Sequence, residues 1–195
     1  MNKKIYLIPL LLLAFVFTSC EETKEISKYD NWQERNDAFI DSLYNVYTTQ
    51  ADHGGLERIQ LLTNPSAYIF YKKLAPVETL EGYVASSEKP LDGTTKVDVY
   101  YKGVNILKER FDGFTGSEPT VYDEPLSFSV TYGSIIDGWW EVLQQMSLGE
   151  RWEVYIPWNY GYGSSGSGSI LGYSTLIFDM QLFRIVNTVQ PTAAE

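Results

Sequence analysis

Alternating hydrophobic and polar residues from residue 67 onwards limit the folds that this chain can adopt. In KVDVYYKG (96–103), Val97, Val99 and Tyr101 fall on one face of an extended strand, and the residues between them fall on the other. Four further strand-like segments are separated by clusters of Gly, Pro, Asn and Asp: AYIFYKKL, LSFSV, RWEVYIP and TLIFDMQLF. Such alternation predicts an antiparallel sheet with one buried face.

One segment interrupts the strands with a helical period. In SIIDGWWEVLQQMSLGERWEV (134–154), four hydrophobic residues share one helical face: Trp139, Val142, Leu143 and Met146. We expect this helix to pack that face against the sheet and to end at Gly149. Trp140 falls on another face and is predicted to point outward or against a loop. The predicted fold is α+β: a strongly curved antiparallel β-sheet wrapped around one short α-helix.

A second helix is predicted ahead of this domain, at 31–48. Its hydrophobic residues recur at helical spacing: Trp32, Phe39, Ile40, Leu43, Tyr44 and Tyr47. Asp30 offers an N-cap with Gln33 three residues later, which is the pattern of a capping box. We expect the hydrophobic stripe of this N-terminal helical extension to cover the main domain; the alternative is that it binds a partner chain.

The first nineteen residues have the character of a secretory signal. Lys3 and Lys4 precede IYLIPLLLLAFVF, a hydrophobic run too short to span a bilayer comfortably, and TSC ends the segment at Cys20, the single cysteine. Small residues directly before a cysteine resemble a bacterial lipoprotein signal, which implies cleavage before Cys20 and acylation of that residue. The alternatives are an ordinary signal or a simple anchor with an incidental cysteine. We therefore expect a lipid anchor in the cell envelope, in the outer membrane, on its periplasmic or its surface side.

The resulting domain organisation has five parts. A signal peptide at 1–19 precedes a lipidated cysteine and acidic tether at 20–30, a helical extension and linker at 31–66, the main domain at 67–186 and a tail at 187–195. The acidic EETKE directly after Cys20 is interpreted either as a surface-export signal or as a solvated tether, and the sequence leaves both open.

Charge and residue types exclude several functions. Lysine and arginine total 15 against 25 acidic residues, and loss of the two signal lysines changes the net charge from −10 to 13 minus 25, or −12. This balance argues against nucleic acid as a partner and against electrostatic attraction to anionic lipid. The only histidine, His53, lies in the turn-like DHGG and is expected at the surface, so neither a Ser-His-Asp or Cys-His arrangement nor a Cys/His zinc site can be assembled. We expect neither a metal nor a cofactor.

Two weaker patterns do not support a dinucleotide site or a glycosidase site. GYGSSG (161–166) matches G-x-G-x-x-G, but a further loop and a strand follow it, so we interpret it as a flexible flap and not as a dinucleotide site. No spacing selects a carboxylate pair for glycoside hydrolysis from the acids near aromatic segments: Asp112, Asp137, Glu141 and Asp179.

Several motifs in a fixed order resemble the FKBP-type peptidyl-prolyl cis–trans isomerases. They are VYYKGVNILKERFDGF, then PLSFSVTYGSIIDGWWEVLQQMSLGERWEVYIPWNYGYG, then ILGYSTLIFDMQL, and the resemblance extends over about 67–186. It implies the same curved sheet around one helix, and it implies proline-containing polypeptides as substrates. The sequence departs from the family pattern at Leu126, where an aromatic residue is usual, near Ser134, where an acid or glutamine is usual, and at Leu171-Gly172, where prolines are usual.

The resemblance also implies a substrate pocket. Trp139 would form its floor, and the catalytic set would comprise Tyr101, Phe111, Asp112, Trp139, Tyr162 and Phe178. The substrate-binding set would comprise Leu126, Ile135, Ile136 and Ile170, with the backbone N–H of Ile136 binding a peptide carbonyl. Asp112 is expected to orient Tyr101 through its phenol.

The chemistry suits these residue types. Rotation about an X–Pro bond has a barrier of about 18–20 kcal/mol, because resonance keeps the amide planar. At the twisted midpoint that resonance is lost and the amide is less polar, so a dry aromatic pocket favours the twisted form and requires no nucleophile. Two alternatives remain: a catalytically weak FKBP-fold chaperone or peptide-binding module, and a carbohydrate-binding surface lipoprotein that uses exposed Trp140, Trp158, Tyr160 and Tyr173.

Overall fold

The computed structural model describes residues 27–93 and 95–187. The predicted signal peptide, Cys20, most of the acidic tether and nearly all of the C-terminal tail lie outside the described residues. The chain divides into a unit that ends at Asp30 and a compact unit that begins at Asn31. Within the described ranges, every helix is too short or too polar to cross a bilayer.

The described residues of the compact unit form two α-helices and seven strands. The helices are α1 (Trp32–Thr49) and α2 (Asp137–Leu143). The strands are β1 (Glu57–Gln60), β2 (Tyr68–Leu74), β3 (Thr95–Val104), β4 (Arg110–Gly113), β5 (Leu126–Ser129), β6 (Arg151–Ile156) and β7 (Leu176–Asn187). Short 3₁₀ turns occur at His53–Gly55 and Trp158–Tyr160.

All strands form one antiparallel sheet in the order β1-β2-β6-β7-β3-β4, which confirms the predicted sheet. β3 pairs along its whole length with β7, and its other edge is shared by β4 and β5. The alternation seen in the sequence sets the faces: Val97 and Val99 are fully buried against α2, and Tyr101 lies two residues further along the same face. The α+β prediction, with one short helix in the curve of the sheet, is confirmed.

Helix α2 fills the curve of the sheet, and its predicted inward residues are all buried: Trp139, Val142, Leu143 and Met146. Trp140 is also buried, and its Nε1 donates to Asp92 Oδ1 at 2.8 Å, so it lies against a loop. The helix ends at Leu143, earlier than predicted. Gly149 instead forms the turn into β6 at φ +89°, and its N–H donates to the carbonyl of Leu182.

The outer face of the sheet is buried in two places, although alternation predicted only one buried face. Tyr100 and Phe183 pack edge to face, with ring centroids 5.1 Å apart, beneath Val77 and Leu80. A second outer cluster lies under α1. Loop 75–83 and α1 act as a second layer, which a period of two within a strand cannot reveal.

Helix α1 packs on the domain, as expected. Its residues Phe39, Leu43, Val46 and Tyr47 contact a cluster on the outer face of the sheet: Leu56, Phe70, Tyr155 and Ile177. The predicted capping box is wrong, because Asn31 precedes the helix in the left-handed region and makes no capping bond. Asp30 Oδ2 accepts from the N–H of Ser27 instead, so its side chain serves the preceding turn.

The linker expected within 31–66 is partly a strand. β1 pairs with β2 from Glu57↔Tyr71 to Gln60↔Tyr68, so the sheet begins ten residues before the predicted boundary at 67. The turn after β1 is fixed to α2, because the buried carboxylate of Glu141 accepts from the N–H groups of Leu62 and Thr63 at 2.8 and 2.9 Å. In ERIQ only Ile59 is buried, so this segment lacks the repeated alternation of hydrophobic and polar residues that indicates a strand.

Candidate active site

A cavity of about 420 Å³ opens beside the start of α2. Its lining comes from β3, β4, β5, β7, the first turn of α2 and the loop after β6: Tyr101, Phe111, Asp112, Phe128, Ser134, Ile135, Ile136, Trp139, Tyr162, Ser167, Gly168, Ser169, Ile170 and Phe178. The structure therefore brings together nine of the ten residues that the sequence predicted for the site.

Trp139 forms the floor and is only 4% exposed. Three rings contact its indole at steep angles. The distance between ring centroids and the angle between ring planes are 5.0 Å and 90° for Tyr101, 5.1 Å and 82° for Phe178, and 4.9 Å and 65° for Phe128. Such edge-to-face pairs fix ring orientation. Gly138 allows α2 to lie close to β6, because a Cβ at this position would lie 2.4 Å from the side chain of Ile156.

One wall consists of Phe111 and Phe178, whose rings are 5.6 Å apart at 86°. Both rings rest over Gly103 of β3, where a Cβ would lie 2.3 Å from Phe111 and 2.9 Å from Phe178. The V-x-Y-x-G pattern thus provides a ring at Tyr101 and an open backbone at Gly103, where the wall rings pack.

The polar side of the cavity is a short chain of hydrogen-bonding groups. The Tyr101 hydroxyl donates to Asp112 Oδ2 at 2.6 Å, and Asp112 Oδ1 accepts from the N–H of Gly113. Burial, followed by the bond to Asp112, raises the pKa of Tyr101 well above its ordinary value of 10.0. Burial and the nearby Asp112 charge also raise the pKa of Tyr162. Both phenols therefore stay protonated and act as neutral donors at physiological pH.

The entrance beside α2 presents an open backbone donor. Ile136 is the N-cap of α2 in an extended conformation, and its carbonyl accepts from the N–H groups of Trp139 and Trp140. Its own N–H donates to none of the described residues. Ser134 and Ile135 line the same entrance, so this amide lies at the rim of the cavity.

The opposite rim is the loop 161–175, which differs from the expected flexible flap. Its backbone is bonded internally: Gly166 N–H to Tyr162, Ser167 and Ile170 to each other, and Tyr173 N–H to Gly163, all at 2.9–3.1 Å. Gly166 and Gly172 are required by close packing, because a Cβ at either would lie within 2.2 Å of a backbone oxygen. The glycines of this loop therefore permit tight turns as well as conformational freedom of the backbone.

Leu126 does not line the cavity, which corrects the prediction for this residue. Its side chain is 49% exposed at the start of β5. Phe128, two residues further along the strand, contacts both Tyr101 and Trp139 and was missed as a site residue. The segment LSFSV could have indicated this residue. Phe128 lies on the same face of the strand as Leu126 and can supply the aromatic ring that the resemblance places at Leu126.

Other candidates from the sequence lie away from this cavity. His53 is exposed and stacks on Tyr47, with ring centroids 4.3 Å apart. Asp179 binds Arg151 in two hydrogen bonds of 2.8 and 2.6 Å, and Glu141 binds backbone, so neither is a free catalytic acid. The described residues contain no group of three or more His, Cys, Asp or Glu able to hold a metal.

Three of the rings named for the carbohydrate alternative make hydrogen bonds within the domain. Trp140 is buried, and Trp158 donates from Nε1 to Asp37 and packs against Tyr173. The Tyr160 hydroxyl accepts from Asn64. These rings are held by contacts within the domain.

Comparison with known proteins agrees with this geometry. A family model for the FKBP-type peptidyl-prolyl cis-trans isomerases matches residues 86–183. FK506-binding protein 2 of Aspergillus oryzae is 39% identical over 102 residues, which is 52% of this chain and 72% of that protein. FK506-binding protein 1 of the same organism is 36% identical over 108 residues, 51% of this chain and 90% of that protein.

Among solved structures, FkpA from Escherichia coli superposes with a TM-score of 0.59 at 25% identity, over 82% of this chain and 63% of that one. This superposition covers more of the chain than the matched family segment does. The family model, the sequence relatives and the cavity floored by Trp139 converge on one conclusion: this chain belongs to the FKBP-type peptidyl-prolyl cis-trans isomerases.

Proposed function

We propose that this isomerase acts on X–Pro bonds of exported proteins, bound over Trp139, while a lipid on Cys20 holds it in the cell envelope. The observation that carries the catalytic part is the cavity itself, in which aromatic rings surround a buried indole and an open amide lies at the rim. The envelope part rests on the amino-terminal sequence.

The first catalytic contribution is removal of water. A planar amide is more polar than a twisted one, so water stabilises the ground state more than the transition state. When the proline ring lies against Trp139, between Phe178 and Phe128, the adjoining amide enters the cavity and loses that water. Each 1.36 kcal/mol of preference for the twisted form increases the rate about tenfold.

The second contribution is orientation. The N–H of Ile136 binds a carbonyl of the substrate backbone, which fixes one side of the peptide while the other side rotates. The positive ring edges of Tyr101 and Phe111 face the rotating carbonyl oxygen, and Asp112 holds Tyr101 in place at 2.6 Å. Tyr162, which is 39% exposed at the rim, donates to the peptide beyond the proline.

The test is exchange-based NMR of a proline peptide with the full chain in detergent. We expect catalysed cis–trans exchange that Trp139→Leu or Phe178→Leu lowers by at least about tenfold, equal to about 1.4 kcal/mol of transition-state binding. Undiminished exchange in both folded variants would contradict the assigned site. Peptide binding without any catalysed exchange would favour the chaperone alternative.

Two relatives are named FK506-binding proteins, and the same cavity is proposed to bind FK506. FK506 should then compete with the peptide and quench or shift the fluorescence of Trp139, and Trp139→Leu should remove that response. The lipid anchor has a separate test. Labelled palmitate should be incorporated by the wild type and not by Cys20→Ser, and the variant should leave the membrane fraction.

A further inference from the structure

The loop that forms one rim of the substrate cavity is fastened at both ends by the N-terminal helix. The 158–175 segment carries Tyr162 and Ile170 into the cavity lining. Hydrogen bonds from the first two turns of α1 reach Trp158 at its beginning, and Ser174 and Thr175 at its end. Helix α1 lies outside residues 86–183, the part matched by the family model.

Asn36 is central to this attachment. It is fully buried, its Oδ1 accepts from the N–H of Thr175 at 2.7 Å, and its Nδ2 donates to the carbonyl of Trp32 at 2.7 Å. The amide thus joins the backbone of the helix to the backbone of the loop. Burying an amide without hydrogen-bond partners is costly. Both polar atoms of the Asn36 side chain have a backbone partner, one in the helix and one in the loop.

Two neighbouring bonds act alongside it. Trp32 Nε1 donates to Ser174 Oγ at 3.0 Å in a buried contact. At the other end of the loop, Trp158 Nε1 donates to Asp37 Oδ1 at 2.8 Å. Three residues in the first two turns of α1, Trp32, Asn36 and Asp37, therefore contact the loop. The hydrophobic stripe further along the helix anchors it to the sheet.

A short path leads from these bonds to the cavity. The rings of Trp158 and Tyr173 pack 5.0 Å apart, and the carbonyl of Trp158 accepts from the N–H of Gly163. The carbonyl of Gly163 accepts in turn from the N–H of Tyr173. Gly163 directly follows Tyr162, so the position of that phenol depends on the two ends of the loop that α1 holds.

We propose that α1 is a positioning element of the isomerase and that Asn36 is its principal positioning residue, acting on substrate through the 158–175 loop and Tyr162. The inference rests on the proposed site. Because the loop contacts peptide flanking the proline, its displacement weakens binding more than rotation.

The experiment compares Asn36→Ala with Leu43→Ala in the full chain. Both substitutions loosen α1, but Leu43 packs on the outer cluster, whose members all lie outside the 158–175 loop. We expect Asn36→Ala to raise KM about tenfold while kcat changes less than about twofold, which corresponds to about 1.4 kcal/mol. Leu43→Ala should lower the melting temperature comparably and leave KM within about twofold. Equal KM values in the two variants would overturn the proposal.

A double-mutant cycle tests the path to Tyr162. If Asn36 acts through the loop, the effect of Asn36→Ala on KM should shrink to less than about twofold in a Tyr162→Ala background. Additive effects would show that Asn36 acts elsewhere. Should Asn36→Ala fail to fold, Trp32→Phe and Asp37→Ala each remove one attachment and keep the amide, and both should raise KM in the same sense.

Failure of this inference is distinguishable from failure of the proposed function. A wild type without catalysed exchange would remove the isomerase assignment. An active wild type whose Asn36, Trp32 and Asp37 variants keep the normal KM would remove only the positioning role.

Discussion

The rings of Tyr101 and Trp139 meet at 90°, with their centroids 5.0 Å apart. Tyr101 comes from the middle of β3 and Trp139 from the first turn of α2, so this contact joins sheet and helix at the floor of the cavity. The far end of Tyr101 is held by Asp112 at 2.6 Å. The wall ring is thus oriented from both ends before any substrate arrives.

Tyr101→Phe should separate orientation from packing. The ring contacts remain, and the hydroxyl bond to the exposed Asp112 is lost, so we expect a loss of about 1 kcal/mol in the free energy of unfolding. A ring free to tilt should lower kcat/KM about fivefold. Tyr100→Phe is the matched control on the outer face of the same strand, measured by urea unfolding and by peptide exchange. Equal activity in the two variants would contradict the orienting role.

Gly103→Ala should disturb the wall from beneath. A Cβ at this position would lie 2.3 Å from Phe111 and 2.9 Å from Phe178, so we expect destabilisation of about 1–3 kcal/mol from overpacking and a loss of activity. Phe111→Leu should relieve the clash and recover stability in the double variant without restoring activity. Thermal unfolding and exchange rates measure the two effects. A Gly103→Ala variant with unchanged stability would contradict the packing described.

Glu141→Gln should weaken the attachment of β1 to α2. The fully buried carboxylate accepts from two backbone N–H groups and from the Thr63 hydroxyl. An amide replaces one acceptor oxygen with a donor, so we expect a loss of about 1.5–3 kcal/mol in unfolding free energy. Glu81→Gln, at an exposed position, is the control. Hydrogen exchange should show faster opening of 57–63; unchanged protection there would exclude this role.

Stability should fall at alkaline pH because of buried tyrosines. Burial, with carboxylate neighbours, raises the pKa of Tyr71, Tyr101 and Tyr155 above the ordinary value of 10.0. In the unfolded chain these phenols lose protons near pH 10 while the folded chain keeps them. The contribution of these protonated phenols to the free energy of unfolding is therefore complete below pH 10, and it is lost as the pH rises above 10.

Urea unfolding from neutral pH to about pH 11 measures this effect. Tyr101→Phe should reduce the slope of unfolding free energy above pH 10, because one of the perturbed groups is gone. A slope that is unchanged by the substitution, or a stability that rises with pH in this window, would contradict the described burial.

Much of the fold was predictable because local pattern and tertiary packing agree. The period of two placed β2, β3, β5, β6 and β7, and the spacing from Trp139 to Met146 placed the buried face of α2. The α1 boundary was within one residue, although its cap was not predicted. Asn31 adopts the left-handed conformation before the helix, so the capping pattern at Asp30 has no helix N–H to accept from.

What the sequence could not reveal depends on contacts between distant segments. β1 is a strand only because β2 and the Glu141 carboxylate hold it, and its own residues are mostly exposed. Phe128 and Leu126 lie on the same face of β5, and the period of two alone does not tell which one reaches Trp139. The Asn36–Thr175 bond spans 139 residues and leaves no local signature.

The place of β7 in the sheet has a consequence for biosynthesis. β7 follows the other six described strands in the chain, yet it lies between β6 and β3 and joins the two halves of the sheet. A nascent chain that still lacks it has no central pairing for either half, and pairing across such separations is slow. The two halves of the sheet therefore stay unjoined until β7 has been synthesised, and truncation anywhere ahead of Leu176 should leave two separate fragments of sheet.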